Sequence, residues 1–124
     1  MEITDKIKNI IDEIVRQYRP EKIILFGSFV WGNPNKDSDI DLFIIKQSQK
    51  SRIERQRELR LKLFGSDFPA MDILVYTPEE VEKSINEYKN LFIEDILRHG
   101  KVLYSKPGSL FNVALPKRRL NILH

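Results

Sequence analysis

The chain has 124 residues, 41% hydrophobic and 31% charged, with a net charge of +3 and no cysteine. That length holds one domain with a single modest core, and the composition is that of a globular chain, not a disordered one. Disulfides and thiolate metal sites are excluded, and the small positive excess tolerates a polyanionic ligand without requiring one.

The N-terminal MEITDKIKNIIDEIV is charged throughout, so no signal peptide is expected. No apolar run reaches the length of a membrane span, and a cytoplasmic protein without a membrane partner is expected. Within residues 4–18, Ile7, Ile10, Ile11, Ile14, Val15 and Tyr18 recur at helical spacing, which predicts an amphipathic helix with Thr4 as N-cap. Arg19-Pro20 ends it, because proline disfavours the helical conformation of the residue before it. KIILF (22–26) reads as a short strand stopped by Gly27, NPNKDS (33–38) as a turn, and 39–46 as a second strand. Ser51-Arg52-Ile53-Glu54 has the form of a capping box and opens a helix to about Phe64. AMDILVY (70–76) reads as a third strand. Thr77-Pro78-Glu79-Glu80 is a second capping box with proline at the first helical position, opening a helix to about Glu87. A further helix from Asn90 to Arg98 ends at His99-Gly100, and 102–104 adds a short edge strand.

This order predicts an α/β (α+β) domain over residues 1–105, a small mixed sheet flanked by helices, with the helices on one face. From residue 106, KPGSLFNVALPKRRLNILH breaks the pattern and reads as a C-terminal extension, flexible alone or used for docking a partner.

The chemistry concentrates in GSFVWGNPNKDSDIDL, residues 27–42. In a strand, alternate side chains share a face, so Asp39 and Asp41 lie together while Ile40 and Leu42 point the other way. Neighbouring carboxylates repel and raise each other's pKa, and a hard divalent cation such as Mg²⁺ relieves the conflict. Asp72 interrupts the apolar third strand, where a carboxylate is costly unless paired, hydrogen-bonded or on a metal. If the two strands are neighbours, Asp72 completes a three-carboxylate cluster able to serve phosphoryl transfer with two metal ions. Gly27-Ser28 after a strand places backbone amides and a hydroxyl where phosphates can sit, and glycine allows close approach.

Together these residues resemble the signature of the DNA polymerase β-like nucleotidyltransferases, a Gly-Ser pair followed about ten residues later by Asp-x-Asp, with MDILVYTPEE similar to the family's third-carboxylate strand. In size the chain resembles the minimal nucleotidyltransferases. The resemblance covers about residues 5–104. It implies the polymerase β-like fold, with Gly27 and Ser28 holding the nucleoside triphosphate and Asp39 and Asp41 binding two Mg²⁺ ions. It further implies Asp72 as the third carboxylate, which binds the catalytic metal and helps deprotonate the acceptor hydroxyl. The reaction implied is transfer of a nucleoside monophosphate with pyrophosphate leaving. Relatives of this size stand beside a helical HEPN protein, often an RNase toxin. The resemblance therefore implies an antitoxin that transfers AMP from ATP to a tyrosine of that toxin. Two alternatives stay open: an antitoxin that neutralises by binding alone, and a nucleotidyltransferase for RNA or a small molecule. Nucleic acid is not expected as a direct partner, and homo- or hetero-oligomerisation is left open.

Plainer readings apply elsewhere. Asp37 and Ser38 belong to the turn. An exposed edge strand also accommodates Asp39 and Asp41, but leaves Asp72 unexplained. Trp31 is read as packing rather than base stacking, and Tyr76 shares the face of Asp72. The charges of RIERQRELRLK are assigned to a solvated helix face with intrahelical ion pairs, and His99 to a structural role near a helix C-terminus.

Overall fold

Two apolar runs, KIILF and IDLFII, are buried at almost every position, and a strand buried on both faces reads in this way. The computed structural model, which describes residues 3–32, 39–65 and 68–108, shows these runs as β1 (Lys22–Phe26) and β2 (Ile40–Ile45), the central strands of a four-stranded sheet. The sheet order is β3-β2-β1-β4, with β3 spanning Met71–Tyr76 and β4 spanning Lys101–Ser105. β1 is antiparallel to both β2 and β4, whereas β2 and β3 run parallel.

The helices do not share one face of the sheet, as the sequence suggests; they cover both. α1 (Ile3–Tyr18) and α3 (Arg52–Lys62) set Ile10, Ile14, Tyr18 and Leu59 against Ile23, Leu25, Leu42, Ile44 and Val75. α4 (Pro78–Asn86) and α5 (Leu91–His99) set Val81, Ile85, Ile93 and Ile96 against Ile24, Phe26, Phe43 and Ile45 on the opposite face. A one-turn helix, α2 (Ser28–Trp31), follows β1.

Helix starts follow local chemistry. Ser51 and Thr77 each close a reciprocal capping box, with Glu54 and Glu80, and the Asn90 side chain accepts from the Ile93 amide. Thr4, read as a cap, lies inside α1, which already includes Ile3. Gly100 ends α5 for a steric reason. Its φ is −70°, open to any residue, but a Cβ there would stand 2.5 Å from Ile24 Cγ2 and 2.5 Å from the Ile96 carbonyl oxygen. The glycine lets the chain pass from α5 straight into β4 beside β1.

The charge-rich α3 also departs from expectation. Arg55 is buried, 2% exposed, and its guanidinium donates to the Lys50 and Val75 carbonyls and to the Glu80 carboxylate. Its neighbour Arg52 lies 4.0 Å over the Tyr76 ring. These cations tie α3 to β3 and α4 instead of pairing along their own helix. The turn at 33–38, with Asp37 and Ser38, and the extension from 109 onward lie outside the described residues.

Candidate active site

The carboxylates meet at the end of the sheet where β1 finishes and β2 and β3 begin. Cross-strand register puts Phe26 opposite Asp41, and Asp41 opposite Asp72. Adjacent strands stand about 4.8 Å apart, so these three side chains form a row across one face. The face is that of α4 and α5, because Phe43 and Ile45, in phase with Asp41, pack there.

Asp41, half-buried in the middle of the row, shares a side-chain hydrogen bond with Asp72. Its pKa is raised above the ordinary carboxylate value, first by burial, then by the charges of Asp72 and Asp39 and by that hydrogen bond. Asp39 and Asp72 are both exposed. The structure thus brings Asp41 and Asp72 into contact, while Asp39 acts on Asp41 through its charge.

Gly27 closes the other side of Asp41. A Cβ on Gly27 would lie 2.0 Å from Asp41 Oδ2, so no side chain fits, and its φ of +80° favours glycine as well. The Gly27 carbonyl accepts from the amides of Val30 and Trp31 at 2.9 and 2.8 Å, which turns the chain into α2 with Ser28, partly exposed, as its first residue.

Aromatic rings adjoin the row on the β1 side. Phe26 packs against Trp31 (6.2 Å between centroids) and edge-on to Phe92 (5.8 Å). Trp31 Nε1 donates to the His99 carbonyl at 3.3 Å. One side of the Trp31 ring thus rests on Phe26, while the residue stays 46% exposed, so packing accounts for only part of it. Phe92 escapes sequence reasoning because nothing local relates α5 to the end of β1.

Among the described residues, no group of three or more Asp, Glu or His side chains is already drawn together to hold a metal ion. The donor chemistry nevertheless fits one. Carboxylate oxygens are the hard ligands that Mg²⁺ prefers, and the crowded negative charge at Asp41 is what a cation would relieve.

Known proteins match this arrangement at three levels. The family model described as Polymerase beta, Nucleotidyltransferase, matches residues 8–108. Two proteins of Methanocaldococcus jannaschii named "Putative protein adenylyltransferase" are similar. One is 31% identical over 100 residues, covering 79% of this chain and 94% of its own. The other is 25% identical over 100 residues, covering 81% and 94%. Among solved structures, the toxin-antitoxin complex MntA-HpeT, a mutant with two aspartates changed to glutamate, matches with a TM-score of 0.55 at 19% identity. That match covers 81% of this chain and 73% of the other, and it speaks to the fold alone. With the matched model running from α1 through β4 and taking in the whole carboxylate row, the chain belongs to the polymerase beta nucleotidyltransferase family.

Proposed function

We propose that this nucleotidyltransferase transfers AMP from ATP to a tyrosine hydroxyl of a partner protein in the cytoplasm. The partner is a HEPN-type RNase toxin, and the chain acts as its antitoxin. The observation that carries the reading is the contact of Asp41 with Asp72 across parallel strands, with Gly27 pressed against Asp41. The names of the two archaeal relatives support a protein acceptor, and the fold shared with a toxin-antitoxin protein is in keeping with a toxin as the partner.

In this reading residues 1–105 are the catalytic domain and 106–124 a partner-docking extension. Asp39, Asp41 and Asp72 would hold two Mg²⁺ ions, which supply charge neutralisation for the phosphates. Gly27, whose missing Cβ admits the Asp41 carboxylate, and Ser28 would hold the triphosphate, the Ser28 hydroxyl donating to a phosphate oxygen. Asp72 lies on the outer strand of the sheet and is exposed, so a side chain on a bulky partner reaches it without entering a cavity. Its carboxylate takes the proton of the acceptor hydroxyl as that oxygen bonds to the α-phosphorus, and the bond to pyrophosphate breaks.

Intact-mass spectrometry tests the proposal. The chain is incubated with ATP, Mg²⁺ and the HEPN-type protein encoded beside it, in parallel with Asp39→Ala/Asp41→Ala. Whole AMP increments on the partner, seen only with the intact aspartates, are expected. No increment, with toxicity still suppressed by the double variant, would leave an antitoxin that works by binding. Nucleotide incorporation into RNA or a small molecule without a protein partner would replace the acceptor.

A further inference from the structure

We propose that Trp31 and Phe92 form a stacking platform for the base of the substrate nucleotide, an inference that rests on the triphosphate lying at Gly27 and Ser28. Large aromatic rings are normally withdrawn from water, yet Trp31 is 46% and Phe92 is 50% exposed. Both lean on Phe26, which is buried, so the two rings are held in place from beneath and open above. Phe26 is one strand, about 4.8 Å, from Asp41, and the two ring centroids stand 6.2 and 5.8 Å from that of Phe26, so the rings lie at most about 11 Å from the Asp41 position and farther from Asp72. That is the reach of a ribose and base beyond the reacting phosphate.

The side of the row decides the occupant. Trp31 and Phe92 adjoin β1, which leads into Gly27 and Ser28, whereas Asp72 stands on β3 at the opposite end. With the acceptor at the β3 end, pyrophosphate leaves in line toward Gly27 and Ser28, and the ribose, which projects sideways from that line at the α-phosphorus, can lay the base on the rings flanking β1. The platform gives affinity without choosing the base. Every base has a π-face, and the only donor on the Trp31 ring is already committed to the His99 carbonyl. Exposed Tyr88 and Leu91 would suit a docking surface for a protein, which is the competing outcome.

Trp31 is the single tryptophan of the chain, so its emission reports on this surface alone. Mg-ATP is expected to quench it, and Mg-tripolyphosphate is not. By calorimetry, Phe92→Leu, with folding checked by circular dichroism, is expected to weaken Mg-ATP about tenfold and leave tripolyphosphate unchanged. Mg-ATP binding without any change in Trp31 emission, and with equal affinity for Phe92→Leu, would overturn the platform while leaving the nucleotidyltransferase reading intact. Absence of calorimetric Mg-ATP binding to the unaltered chain would remove both. A Trp31 response to the protein partner but not to Mg-ATP would make the surface a protein interface and overturn the proposal.

Discussion

At Asp41 a crowded carboxylate is set most directly against stability. It stands in phase with Phe43 and Ile45, where the strand would otherwise continue its apolar face, and it is crowded by Asp72 and Asp39. Its pKa in the folded chain is raised, so its contribution to stability is fully present below the unfolded value of 3.8 and lost as pH rises through the folded value. At pH 7 without divalent cations, Asp41→Asn is therefore expected to raise the melting temperature while abolishing nucleotide transfer. The gain should vanish as the pH is brought below 3.8. Thermal melts at both pH values check this, and a lower melting temperature for the variant at pH 7 would count against it. The alternation of Asp39 and Asp41 is legible in the sequence because strand parity is local. The pressure of Gly27 on Asp41 is not, since it needs the register of β1 against β2.

At the scale of elements, α3 is the informative case. Its capping box is legible because Ser51 and Glu54 are three residues apart, and local hydrogen bonds follow local spacing. The burial of Arg55 is invisible in a run of arginines and lysines, because its acceptors come from β3, α4 and the loop before α3. Replacing it with methionine strands those acceptors and is expected to cost about 3 kcal/mol, read from urea unfolding. Burial works to raise the Glu80 pKa, but the Arg55 hydrogen bond, the Thr77 amide and the charges of Arg55 and Arg52 hold it below the usual value of 4.5. The Glu80 share of that stability is therefore present above pH 4.5 and is lost as pH falls through the lowered pKa. The penalty of Arg55→Met should shrink in the same acid range.

Across the whole molecule, β1 and β2 contribute to both apolar layers, so the two helix pairs are coupled through shared strands. Phe43, fully buried between β2 and the α4–α5 layer, is the position where that coupling is most exposed to test. Phe43→Ala is expected to cost about 3–5 kcal/mol and to lower a single unfolding transition. Far-ultraviolet circular dichroism and Trp31 fluorescence should trace the same denaturation curve. Separate midpoints would show that the layers unfold independently.

The sequence by itself determined nearly every element, the strands that carry the carboxylate row, the capping boxes of α3 and α4, and the identity of the carboxylates. These follow from periodicity, turn chemistry and contacts within a few residues. Tertiary structure alone decided that the helices divide between the two faces. It also decided that β3 lies parallel to β2, with Asp72 against Asp41, and that Phe92 joins Trp31 around Phe26. The physical reason is that a short apolar run is compatible with burial on one face or on both. The choice between them, and with it the surroundings of each carboxylate, is made by residues far away in the chain, as Asp72 is from Asp41 and Phe92 from Phe26.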